Sequence, residues 1–212
     1  MKEAHLLFNE VGYTVGSLLD QIELGVIGLP DIQRPFVWKN SRIRDLFDSM
    51  YRGFPVGYLL LWQSANQQGA RTIGIDGKQK HPDLLIVDGQ QRLTSLYAVV
   101  KGSKILREDY SEEFIEIAFQ PLDDKFEVAD AAIRKDRHWL PNISQLWSPD
   151  TDLFELVDEY LDALRQVREV GPTDTRKIRQ SIQRLQGLLN YPFRALELLA
   201  TVSTEQVSQI FV

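Results

Sequence analysis

Two short apolar runs do most to limit what this 212-residue chain can fold into. Val56 to Trp62 follows Pro55, and Leu84-Leu85-Ile86-Val87 stops at Asp88-Gly89. Neither run alternates with polar residues, so each predicts a strand buried on both faces. A sheet of such strands needs helices to cover it, and the flanking segments supply them. Val15, Leu18, Leu19 and Ile22 recur at helical spacing behind Thr14 as cap. Ile43, Leu46, Phe47 and Met50 do the same behind Ser41, with Gly53 as the stop. Leu93, Leu96, Tyr97 and Val100 carry the second run on as a helix that Gly102 closes.

Further along, Phe114 to Phe119 predicts a strand, Pro121 to Lys125 its turn, and Phe126 to Val128 the returning strand. Trp139-Leu140-Pro141, with Ile143 and Trp147, predicts a packed connection. Amphipathic segments near 152–170 and 173–190, divided by Gly171-Pro172, predict two helices. Ser203 with Gln206 forms a capping box that opens a last one. The polar stretch 63–83 is an excursion or a hairpin. This order gives an α+β fold with a helical C-terminal part, divided as 1–148 for the core and 149–212 for a helical extension. The chain reaches Ile210-Phe211-Val212 still apolar, so it is read as a fragment truncated at the C-terminus.

The absence of cysteine excludes disulfides, zinc–thiolate sites and thiol catalysis. Met1 to His5 lacks the basic-then-apolar layout of a signal peptide, and no apolar stretch approaches the roughly 20 residues of a membrane helix. The expectation is a cytoplasmic protein with no membrane partner. A net charge of -6 with a pI near 5.2 argues against a broad basic surface for duplex DNA. The charge is uneven, however. Residues 1–107 carry 13 Lys+Arg against 10 Asp+Glu, whereas residues 108–212 carry 11 against 20. An anionic ligand is therefore sought in the first half.

The strand-to-helix junction at Asp88-Gly89-Gln90-Gln91-Arg92 is the sharpest candidate. A helix that opens directly after a strand presents backbone N–H groups and the positive end of its dipole, which favours phosphate. Gly89 permits a tight turn and close approach, Arg92 offers a fork for phosphate oxygens, and Thr94 and Ser95 carry hydroxyls. Asp88 is placed to hold a metal ion or a water. The same residues equally fit a plain capped β–α turn with Asp88 as N-cap. A second candidate is Gln33-Arg34-Pro35-Phe36-Val37-Trp38, where Pro35 holds Arg34 extended. Its Phe36 and Trp38 offer faces for a base or for a core. His5, His81 and His138 lack metal-ligand spacing, so no metal site is assigned to them. Asp76-Gly77-Lys78 and Asp123-Asp124-Lys125 have the Asp-x-Lys form found in metal-dependent nucleases but lie in turns. Arg176, Lys177, Arg179 and Arg184 read as a solvated helix face.

The blocks Leu29-Pro30-Asp31-Ile32-Gln33-Arg34-Pro35-Phe36-Val37-Trp38, Phe54-Pro55-Val56-Gly57 and Ile86-Val87-Asp88-Gly89-Gln90-Gln91-Arg92-Leu93-Thr94 resemble, in order and spacing, the N-terminal domain of GmrSD-type restriction endonucleases. The resemblance implies a ParB/sulfiredoxin-like core with a small mixed sheet, followed by helices. It also implies binding and hydrolysis of a nucleoside triphosphate, compatible with Mg2+. That activity would be coupled to DNA cleavage by a separate C-terminal His-Asn-His-type nuclease domain or partner chain, in defence against phage DNA. Gln33 and Arg34 match the first motif, and Asp88, Gly89, Gln90, Gln91 and Arg92 match the second. Asp88 and Arg92 are the expected catalytic pair. Gln33, Arg34, Gly89, Gln90, Gln91, Arg92, Thr94 and Ser95 are the expected nucleotide contacts. Two other readings stand beside it: a non-catalytic nucleotide switch or interaction module, and a metal-dependent nuclease. The oligomeric state is left open.

Overall fold

In the computed structural model of the chain, the described residues are 6–28, 36–63 and 82–210. The elements run β1 (Phe8–Thr14), α1 (Val15–Glu23), β2 (Ile27–Gly28), α2 (Asn40–Tyr51) and β3 (Leu59–Gln63). Next come β4 (Leu84–Asp88), α3 (Gln90–Val100), β5 (Lys104–Leu106), β6 (Glu112–Phe114), β7 (Ile117–Gln120) and β8 (Lys125–Val128). The chain then forms α4 (Leu153–Arg165), α5 (Pro172–Gln186), β9 (Pro192–Leu198) and α6 (Thr204–Gln209). It is an α+β protein whose largest sheet is mixed. Two compact units interleave in sequence: Met1–Arg34 with Gly57–Leu93 and Pro192–Val212, and Pro35–Val56 with Thr94–Tyr191.

The first unit holds a five-stranded sheet in the order β1-β9-β3-β4-β2. β9 runs antiparallel to β1 and parallel to β3, while β4 runs antiparallel to β3 and parallel to β2. Leu59 pairs with Ala195 and Leu61 with Ile86, so Leu59, Leu61, Ile86, Phe193 and Ala195 share one face, and all are buried. The α1 helix buries Val15, Leu18, Leu19 and Ile22 behind a capping box of Thr14 and Ser17. On the other face, Trp62, Leu85 and Leu198 cluster with Val202 and Val207, beside the half-buried Leu60 and Val87. The two apolar runs thus do form adjacent central strands. Glu197 is buried on β9 and accepts a hydrogen bond from the Tyr13 hydroxyl.

The second unit is built round aromatic side chains. Tyr51, Phe119 and Phe126 meet at centroid distances of 5.2, 5.5 and 4.7 Å. The Tyr51 hydroxyl donates to Asp124 at 2.6 Å, and Ser181 of α5 donates to the same oxygen at 2.8 Å. One carboxylate therefore ties α2, the β7–β8 turn and α5 together. Trp147 donates its indole N–H to the Gln186 carbonyl at 3.0 Å.

Several elements differ from their sequence reading. β3 begins only at Leu59, because Gly57 turns the chain at φ +91°. The Phe114–Phe119 run divides into β6, which pairs with β5, and β7, which pairs with β8. Ser41 does not cap α2; Lys39 holds that position without a side-chain bond. The sequence pattern places no strand at 8–14 or 192–198, yet β1 and β9 pair along their full lengths.

Candidate functional site

The junction between β4 and α3 is made by a glycine that no other residue could replace without strain. Gly89 has φ +97°. A Cβ there would stand 2.4 Å from Cδ2 of Leu59, a fully buried side chain of the neighbouring strand. The first intrahelical bond runs from the Leu93 N–H to the Gly89 carbonyl at 3.0 Å. Gly89 therefore takes the N-cap position, and Asp88 lies just outside the helix instead of capping it. Asp88 ends β4 with its side chain 60% exposed.

Arg92 behaves differently from a solvent-facing phosphate fork. Its side chain is 14% exposed, and its Nη2 donates to the Tyr58 carbonyl at 2.7 Å and to Asp88 Oδ2 at 3.2 Å. A Cβ on Gly57 would stand 2.7 Å from Nη1, and one on Gly89 would stand 3.2 Å from Nη2. The guanidinium is thus packed against two glycines at positive φ and fastens the approach to β3 onto the turn. Burial draws its pKa below the usual arginine value, and Asp88 opposes that drift. A largely covered cation one turn into α3 adds its charge to the positive end of the helix.

The remaining sequence candidates are distributed as follows. Gln90 and Gln91 occupy the first positions of α3, both half-buried. Thr94 is half-buried, and Ser95 is completely buried, with its hydroxyl away from solvent. Gln33 and Arg34 lie outside the described residues, as do His5, His81 and Asp76-Gly77-Lys78. Asp123 and Asp124 lie in the β7–β8 turn and Lys125 opens β8, with Asp124 at φ +51° and committed to Tyr51 and Ser181. His138 sits 2.7 Å from Asp136 on the surface. No group of three His, Asp or Glu side chains suited to a metal ion is found among the described residues.

Downstream of the Gln33-Arg34 motif, the chain is held by a residue that sequence reasoning did not single out. Arg107, within the second unit, donates to the Trp38 carbonyl, to Asn40 Oδ1 and to Glu113 Oε1. It also lies 5.1 Å from the ring centre of Phe36, which is buried. Arg107 and Asn40 hold the Glu113 carboxyl below its ordinary pKa. Trp38 stacks under Arg42 at 4.4 Å. Phe36 therefore serves the core, and Trp38 is partly covered by a cation. The pairing of Phe36 with Arg107 through an isolated parallel bridge leaves no local sequence signal.

Comparison with known proteins gives two findings. The family described as GmrSD restriction endonuclease, N-terminal domain, matches residues 15–212. An uncharacterized protein of Methanocaldococcus jannaschii is 32% identical over 104 residues, which make up 43% of this chain and 18% of that protein. The chain matches less than a fifth of the length of this curated relative. Among the described residues, no helix is long and apolar enough to cross a membrane.

Proposed function

The chain belongs to the family of the GmrSD restriction endonuclease N-terminal domain, which sets it in a restriction system, and from that premise we propose that it binds and hydrolyses a nucleoside triphosphate. On this reading it is the regulatory domain of a DNA-targeting defence enzyme, with a ParB/sulfiredoxin-like core. DNA cleavage belongs to a separate nuclease domain or chain. The observation that carries the reading is the Asp88–Arg92 turn. It joins a buried strand to a helix through a positive-φ glycine, so a ligand can approach the backbone closely.

The phosphates lie across the start of α3, against the backbone of Gly89, Gln90 and Gln91. Thr94, Gln33 and Arg34 are further nucleotide contacts on this reading. Arg92 acts from beneath: it fixes the turn through Tyr58 and Asp88 and supplies a largely covered positive charge. Charge that builds on the phosphate oxygens as the bond breaks is stabilised by that field. Asp88, exposed and next to the turn, orients the attacking water or a divalent ion such as Mg2+. Ser95 supports the helix from the core.

The test is magnesium-dependent phosphate release from ATP, GTP, CTP and UTP, with binding followed by calorimetry. Arg92→Ala is expected to weaken binding, because it removes the positive charge beneath the turn together with the bonds that hold the turn to Tyr58 and Asp88. Asp88→Asn is expected to keep binding and lose turnover. Binding by the wild type with no turnover would replace hydrolysis by a non-catalytic switch. Absence of binding in every case would remove the nucleotide and leave the family membership standing.

A further inference from the structure

The basic face of α5, read from sequence as a solvated surface, lines a groove of about 480 Å³ between the end of α4 and α5. Its polar wall is Arg165, Thr175, Arg176, Arg179, Gln180 and Gln183. Every one of these side chains can donate a hydrogen bond, and no carboxylate is among them. Val170 and Pro172 complete the wall. Thr175, Arg176, Arg179, Gln180 and Gln183 follow helical spacing, so they form a single stripe along α5.

The charge here is only loosely committed. Arg179 meets Asp158 at 3.0 Å and Arg165 meets Asp162 at 2.8 Å, and all four side chains are about half exposed or more. Ion pairs this wet contribute roughly 0–1 kcal/mol, so a stronger anion can displace them. Arg176 and its neighbour Lys177 hold no ion pair among the described residues. Asp174 points its carboxylate at Arg168, outside the groove wall.

We infer that this groove binds the sugar–phosphate backbone of DNA, independently of the nucleotide turn. The stripe from Thr175 to Gln183 is about 12 Å long at 1.5 Å per residue. That length covers roughly three successive phosphates of one strand at 3.4 Å rise. Arginine forks spaced along a helix suit a repeating polyanion, with glutamine and threonine donors filling the intervals. The contact carries no base readout. It would hold the duplex in register without selecting its sequence, and the acidic excess of residues 108–212 would confine contact within that half of the chain to this groove.

The experiment is fluorescence anisotropy of a labelled mixed-sequence duplex with the whole 212-residue chain across a salt series. Three arginine contacts give a slope of log affinity against log salt of about -2.7. The double substitution Arg176→Ala/Arg179→Ala is expected to weaken binding at least about tenfold and to flatten the slope by roughly two. Asp158→Asn, which removes the competitor of Arg179, is expected to tighten binding. Arg134→Ala, which removes one charge at an exposed pair with Glu116, is the control and should change affinity by less than about twofold. No binding by the wild type at low salt overturns the inference. So does an equal loss in the Arg134 control, or an Asp158→Asn variant that binds no better. Displacement of the duplex by free mononucleotide at matched phosphate would also overturn it, in favour of a single-phosphate pocket.

Discussion

At the scale of single residues, the β4–α3 turn depends on what is missing from Gly89. An alanine there would hold φ +97° against its own Cβ and press that atom to 2.4 Å from the buried Leu59. Backbone strain and overpacking each cost of order 1–3 kcal/mol, and the two add because Leu59 has no room to retreat. Gly89→Ala is therefore expected to lower the unfolding free energy by about 2–6 kcal/mol in a urea titration. A loss below about 0.5 kcal/mol would mean that the turn adapts, as ordinary surface positions do. The need for glycine was legible in the sequence, because a strand that stops at Asp-Gly and resumes as a helix leaves few other options. The inward commitment of Arg92 was not. It donates to the Tyr58 carbonyl, and a backbone carbonyl has no residue signature. Arg107 escaped notice for the same reason, since it holds the Trp38 carbonyl.

At the scale of elements, capping separates what could be read from what could not. Thr14, Asp152 and Ser203 each accept a backbone N–H at the start of a helix. Thr14 and Ser203 were legible because a cap needs only a short polar side chain at a fixed offset from an apolar stripe. Ser41 satisfied that pattern and still failed, because α2 starts at Asn40 behind Lys39, two residues earlier than a Ser41 cap would set. The contrast is measurable. Thr14→Ala is expected to cost about 1 kcal/mol, the usual loss for a helix cap. Ser41→Ala is expected to stay within about 0.5 kcal/mol, as for an uninvolved surface position. Equal losses at the two positions in parallel thermal melts would contradict the cap assignment. Strand β9 marks the opposite limit. Ala195-Leu196-Glu197-Leu198 has a strong local preference for helix, and only pairing with β1 and β3 makes it extended. Tertiary context decided that element, along with β1, whose Asn9, Glu10 and Gly12 weaken any strand signal.

At the scale of the whole molecule, the α+β class followed from local patterns, but the assembly of the sheet did not. Phe8 pairs with Leu198, and periodicity within a window cannot report a partner that far along the chain. The same distant contacts create a pH dependence of stability. Tyr13, Tyr51 and Tyr160 are all raised above the ordinary tyrosine value, in each case first by burial. Tyr51 is pushed from 10.0 up to about 12, with the hydrogen bond to Asp124 adding to burial. A phenol whose folded pKa is raised keeps its proton in the native state after the unfolded chain has lost it. Its stabilising contribution is therefore complete below pH 10 and disappears as the pH climbs towards 12. A displacement of about two units corresponds to roughly 3 kcal/mol for Tyr51 alone. Tyr13 and Tyr160 are raised further, so their contributions fall in the same direction. Urea midpoints should hold steady up to pH 10 and then drop steeply, and Tyr51→Phe should lower the plateau but shallow the decline. The lower plateau follows from the lost hydrogen bond to Asp124, the shallower slope from the removal of a titrating group. A variant that shifted the plateau and kept the full decline would place the alkaline sensitivity elsewhere than the Tyr51 hydroxyl.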